Sequence, residues 1–133
     1  MEETLVFIKP DGVKRGLVGE VLARFEARGF NIKALKMIQL SDAQCDYHYH
    51  EHVDKPFYPN LKSYIKSGPI VLMVLQAEGV IDMVRQMLGA TDASKAASGT
   101  IRGDFARSTS ENIAHASDST KSAAREISHF FKT

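Results

Sequence analysis

A single cysteine, Cys45, is all that 133 residues offer for disulfide chemistry, so no internal bridge can form and the fold has to rest on its apolar core. No apolar run approaches the ~20 residues needed to span a bilayer, which excludes a membrane-spanning helix. Lys and Arg number 17 against 16 Asp and Glu, a formal charge of +1. With no excess of one sign, affinity for nucleic acid built on a basic surface is not implied, and any phosphate affinity must be local. The opening Met1-Glu2-Glu3-Thr4 lacks the basic flank and apolar stretch of a signal peptide, so a cytoplasmic location is expected. Glycine-rich phosphate loops are missing too. Neither Gly-x-x-x-x-Gly-Lys-Ser/Thr nor Gly-x-Gly-x-x-Gly occurs, and a phosphate site must therefore be assembled from side chains. Without repeats or low-complexity tracts, the length predicts one domain, 1–133.

What is present is a regular alternation of apolar patterns. Leu5 to Ile8 reads as a buried strand feeding a turn at Lys9-Pro10-Asp11-Gly12. Leu17, Val18, Val21, Leu22 and Phe25 form a helical stripe that Gly29 stops. From Asn31 to Leu40, Ile32, Ala34, Ile38 and Leu40 share one face of a partly exposed strand. Ser41-Asp42 offers a helix cap, and Pro56 and Pro59 bracket a break before a short helix through Ile65. Ile70 to Leu75 predicts a strand covered on both faces, and Val80, Ile81, Val84, Met87 and Leu88 a second helix ended by Gly89. Ala90 to Gly103 has no periodicity and reads as a long loop. Phe105, Ile113 and their neighbours read as a last short strand, and Asp118 is positioned to cap a terminal helix burying Ile127, Phe130 and Phe131. This order predicts an α+β fold: a ferredoxin-like βαββαβ antiparallel sheet with helices on one face, an inserted helical hairpin, and a long loop before the last strand.

Three features carry chemistry. Lys9, directly after a buried strand, reaches either an anionic ligand at the sheet edge or plain solvent. His48, His50 and His52 invite a metal reading, but His50-Glu51 is not followed by the second histidine of His-Glu-x-x-His, and two ligands on one face lack a third. His115, within Asn112 to Ser119, is either a core histidine or a nucleophile; Arg85, Thr91 and Arg102 nearby favour phosphoryl transfer to its imidazole. Arg102-Gly103-Asp104 matches an adhesion tripeptide by coincidence.

Six segments, in order, resemble the signatures of the nucleoside diphosphate kinases: Ile8-Lys9-Pro10-Asp11-Gly12, Arg15 to Glu20, Pro56-Phe57, Ser67-Gly68-Pro69, Gly99 to Phe105 and Asn112 to Ser119. The resemblance runs from Thr4 to Phe131. It implies γ-phosphoryl transfer from a nucleoside triphosphate to a histidine and onward to a nucleoside diphosphate, in a ping-pong cycle. His115 is the implied nucleophile. Arg85, Thr91 and Arg102 match phosphate contacts, Tyr49 and His52 further phosphate-side positions, and Lys9 and Asn112 contacts to the sugar hydroxyl. Phe57 matches the ring that stacks on the base. A ring face reads no base edge, so broad base specificity is expected. Ser117 and Glu126 match the residues that orient the histidine. Mg2+ is implied as a companion of the nucleotide, with Asp118 an outer contact.

Departures from the resembled pattern bear on assembly more than on chemistry. Ala116 stands where most members have glycine, a tolerable methyl beside the histidine. Ala93 and Ser98 replace loop prolines, and the chain stops at Thr133 where longer members continue with a tail that packs on a neighbouring subunit. A homo-oligomer built from dimers is expected, a hexamer first, with a tetramer or free dimer as alternatives. The rival reading is an RNA-recognition module of the same element order. Arg28-Gly29-Phe30 echoes its signature, but Asn31-Ile32-Lys33 breaks it.

Overall fold

The computed structural model describes residues 1–131; Lys132 and Thr133, the end of the expected domain, lie outside the described residues. Four antiparallel strands form one sheet in the order β2-β3-β1-β4: β1 Glu2–Ile8, β2 Asn31–Ile38, β3 Ile70–Ala77 and β4 Ala114–Ala116. This is the expected α+β, ferredoxin-like sheet. The two runs of consecutive apolar residues take its centre, β1 pairing with β3 over Leu5↔Val74 and Phe7↔Leu72. The alternating β2 takes an edge, leaving Leu35 and Met37 50% and 58% exposed.

Strand alternation divides the core in two. Val6, Ile8, Val71, Met73 and Leu75 face α2 (Val18–Ala27) and α5 (Val80–Leu88), burying Val21, Phe25, Val80 and Val84. The opposite face of β1, Leu5 and Phe7, is covered as well, by Cys45 of α3 (Asp42–His48), Tyr58 and Ile65 of α4 (Tyr58–Ile65) and Phe130 of α7 (Thr120–Phe130). Helices on one face only, as the pattern suggests, would leave that second apolar stripe in water. The inserted hairpin exists to cover it.

Local chemistry sets most element ends. Ser41 and Gln44 close a capping box on α3, with bonds of 3.1 and 3.0 Å. Four expectations are corrected. Lys9-Pro10-Asp11-Gly12 opens a short helix, α1 (Pro10–Lys14), rather than a simple turn; proline at the first helical position has no N–H to lose. The stretch 90–103 is partly regular, with a 3₁₀ turn at Ala93–Lys95 and the start of α6 (Ile101–Phe105). Thr100 caps α6, so Phe105 is helical and only Ala114–Ala116 extends. Finally, Ser119 and not Asp118 caps α7, its Oγ accepting the Ser122 N–H at 3.1 Å.

Candidate active site

Register places the histidine. In the β1–β4 ladder His115 lies opposite Phe7, so its ring shares the second face of the sheet and stacks on Phe7 at 4.9 Å and 27°. His48, at the end of α3, meets the same ring edge-on at 4.7 Å. His115 Nε2 lies 3.2 Å from Glu126 Oε1, and that oxygen also accepts the Ser117 hydroxyl at 2.6 Å. Burial raises the affinity of Glu126 for a proton, but the bonds from His115 and Ser117 outweigh it and hold the carboxyl below its usual range. An ionised Glu126 accepts Nε2–H, and that tautomer leaves the Nδ1 lone pair uncommitted.

The turn before β4 is strained and clamped. Ile113 has φ 78°, a left-handed conformation that costs a β-branched residue about 1–3 kcal/mol. Its N–H donates to Asp11 Oδ2 at 3.1 Å, and its carbonyl accepts the Lys9 N–H at 2.8 Å. Asp11 is itself held by the Tyr64 hydroxyl, whose ionisation is pushed up by burial and by that carboxylate. Gly12 is required beside this clamp, since a Cβ there would stand 2.7 Å from Ile8 Cγ2 and 3.1 Å from the Ile113 oxygen.

This turn delivers Asn112 and His115 to a cleft of about 670 Å³, also lined by Lys9, Arg85, Thr91, Arg102, Ala116 and Asp118. Lys9 Nζ donates to Asn112 Oδ1 at 2.8 Å, and Asn112 Nδ2 to the Thr91 carbonyl at 3.2 Å. Arg102 spans three carbonyls: Gly89 at 3.0 Å, Asn112 at 3.3 Å and Ala114 at 2.7 Å. Burial, then Arg85, lowers its pKa to about 10, so it stays cationic at neutral pH. Gly89, with φ 88°, ends α5 where a Cβ would strike Thr100 Oγ1 at 2.5 Å. Arg102 therefore both charges the cleft and ties α5, α6 and the turn before His115 together.

Burial, then Arg102, lowers the Lys9 pKa to about 8. Because the unfolded lysine titrates near 10.5, the unfolded chain binds more protons between these values, and stability rises with pH across that window. Relative to Lys9→Met, the parent is expected to gain about 2 kcal/mol between pH 7 and pH 9.5 in urea unfolding. Parallel pH profiles for the two chains would contradict this.

Tyr49 and His52 line an adjoining cavity with His48 and Glu126, and the two cavities share His115 and Asp118. Burial pushes the Tyr49 hydroxyl well above its usual pKa. Phe57 lines neither cavity; it is 51% exposed, with its ring 5.5 Å from His52. His50 stays at the surface beside Glu51. Sequence reasoning did not single out Asp11, Tyr64, Phe7 or, as a neighbour of His115, His48. Phe7 and His48 become visible only through strand register and the closure of α3 on the sheet. Asp118, lowered in pKa chiefly by Ser122, offers a lone ionised carboxylate. That donor set suits a magnesium ion that brings its own phosphate oxygens and waters, and does not amount to a protein cage.

A family model described as nucleoside diphosphate kinase matches residues 2–133. The chain is 55% identical over 132 residues to a nucleoside diphosphate kinase of Thermus thermophilus, covering 99% of this chain and 96% of that one. It is 55% identical over 131 residues to one of Methanocorpusculum labreanum, covering 98% and 88%. Among solved structures it superposes on a halophilic nucleoside diphosphate kinase from Halobacterium salinarum in complex with CDP, with a TM-score of 0.96, 42% identity and coverage of 99% and 88%. A nucleoside diphosphate kinase family protein from Babesia bovis gives the same TM-score and identity. Matches of this extent cover the sheet and the inserted hairpin together, and the chain belongs to the nucleoside diphosphate kinase family.

Proposed function

We propose that His115 is the residue that carries the phosphoryl group. The chain is a phosphotransferase that moves a phosphoryl group between nucleotides, and in its family this proceeds by a ping-pong cycle through a phosphohistidine. The single observation behind the residue assignment is the His115 Nε2–Glu126 contact at 3.2 Å, which leaves Nδ1 as the nucleophilic atom. Nδ1 attacks the γ-phosphorus in line, the N–P bond forms as the bond to the β-phosphate oxygen breaks, and the nucleoside diphosphate leaves. A second diphosphate reverses these steps. Charge on the transferring oxygens is met by Arg85, Arg102 and Thr91, and Lys9 with Asn112 holds the sugar side. Tyr49 and His52 close the phosphate side. Phe57, on the rim, stacks on the base without reading its edge. Mg2+, when bound with the nucleotide, shields the phosphate charge; Asp118 would hold it through water.

Incubation with γ-labelled nucleoside triphosphate, then with diphosphates of different bases, tests the reading. The label is expected first on the protein and then on purine and pyrimidine acceptors alike. An RNA-binding module of the same topology would take up no label. A cytoplasmic location belongs to the same proposal, in keeping with nucleotide substrates and an unpaired cysteine; among the described residues no helix is long and apolar enough to cross a membrane.

Assembly from dimers is part of this proposal. The β2 edge exposes Leu35 and Met37, and a two-fold pairing of this patch would cover both copies at once. Light scattering at micromolar concentration is expected to give a hexamer, or a tetramer or dimer if contacts through 90–103 fail. A mass of one chain would refute the dimer.

A further inference from the structure

The second cavity joins His48, which phosphoryl transfer does not account for, to two residues that it uses, His115 and Glu126. One nitrogen of His48, one of His115 and one oxygen of Glu126 lie within 4.8 Å of one another. They come from α3, β4 and α7, and all three line that cavity, of about 370 Å³. His115 Nε2 and Glu126 Oε1 are already 3.2 Å apart, close to the ~3.3 Å that separates neighbouring ligands on a tetrahedral ion with bonds of ~2.05 Å.

His48 poses the question more sharply. Its ring is only 7% exposed, packed against Phe7, Tyr49 and Phe130, yet its Nδ1 has no hydrogen-bond partner. A buried polar atom without a partner is rare and costly, and phenylalanine would fill the same space without that cost. The His48 ring lies beside a second imidazole and an ionised carboxylate.

We propose that His48, His115 and Glu126 form an inhibitory site for a transition-metal dication of the zinc class. Two imidazoles and a carboxylate, with one position open, are the donors of a water-carrying zinc centre. Magnesium, which prefers oxygen ligands, does not compete for such a set. His52 lines the same cavity but is not one of the three grouped donors. Lys121 and Arg125 oppose a dication, but Arg125 is drawn away onto the Tyr47 ring and carbonyl.

Binding forms metal bonds to the three side chains and breaks the His115–Glu126 hydrogen bond. A neutral imidazole has one lone pair in its ring plane. Whichever nitrogen of His115 the metal takes, the proton sits on the other, and no lone pair remains to attack phosphorus. The inhibitory part rests on His115 being the nucleophile; the binding part does not.

Metal-free protein titrated with Zn2+ against a chromophoric chelator is expected to bind one ion per chain. His48→Phe and Glu126→Gln should each weaken binding by more than about a hundredfold, beyond what loss of a supporting contact costs. His50→Ala, at the surface, should leave it unchanged. Co2+ should give a visible spectrum that both ligand variants abolish. Equal affinity in the parent and both ligand variants, or loss only in His50→Ala, would overturn the site. In the second arm, Zn2+ should suppress self-labelling by γ-labelled triphosphate in excess Mg2+, and labelling that survives in His48→Phe should resist zinc. One-to-one binding with undiminished labelling would overturn the inhibition. If zinc-free protein in excess Mg2+ takes up no label at all, the His115 assignment fails while the titration still judges the metal site.

Discussion

His115→Asn is expected to lower nucleotide-to-nucleotide transfer by at least about 10⁴-fold and to leave the protein without an acid-labile phosphoryl group. Asparagine keeps a short polar side chain on β4, so the sheet and the Phe7 pairing survive, but its amide nitrogen has no lone pair available to phosphorus. The rest of the binding cleft is untouched by the change. Arg85, Arg102, Lys9 and Asn112 still line it, and nucleotide should bind within about tenfold of the parent affinity. Loss of turnover with retained binding separates a missing nucleophile from a collapsed site. Mass spectrometry at alkaline pH, where phosphorus on imidazole persists, should find the modification on His115 of the parent and nowhere in the variant. Ordinary steady-state transfer by His115→Asn would sink the mechanism.

How much of this was legible in the sequence depends on what fixes each feature. Elements governed by local pattern were readable: the runs Leu5 to Ile8 and Ile70 to Leu75, the stripes of α2 and α5, and the Ser41 cap all follow from periodicity and capping chemistry within a few residues. The motif residues Lys9, Arg85, Thr91, Arg102, Asn112 and His115 converge on one cleft; Lys9 stands just beyond β1 and Arg85 within α5, elements that the pattern placed, whereas Arg102 stands on α6, which it did not. Less readable was whatever depends on distant pairing. Phe105 was read as extended because its apolar side chain resembles a strand residue; the Thr100 cap, which fixes α6, uses a hydroxyl within a stretch lacking any apolar stripe. His48 looked like one of three alternating histidines, and only the docking of α3 on the sheet separates it from His50. The strain at Ile113 had no local signal, since the residue that stabilises it, Asp11, lies 102 positions away.

Arg102 shows why a cleft residue can be more than its charge. Arg102→Ala is expected to lower turnover on every nucleotide by about 10²–10³-fold, the scale for losing one donor to a transferring group. It should also destabilise the fold by about 2–4 kcal/mol, because the carbonyls of Gly89, Asn112 and Ala114 lose their donor together. The two effects have different cures. Arg102→Lys restores one positive charge, but a lysine ammonium cannot present the planar fork that reaches three carbonyls on α5 and on the turn into β4. It should recover part of the stability and little of the rate, since Asn112 and His115 remain imperfectly held. Urea unfolding and transfer assays on the three chains, with purine and pyrimidine acceptors, measure both quantities. The fold-loss should be uniform across bases, because the partners proposed for Arg102 are phosphate oxygens common to them all. A loss confined to one base would contradict the assigned role, and full recovery of rate in Arg102→Lys would reduce the residue to a point charge.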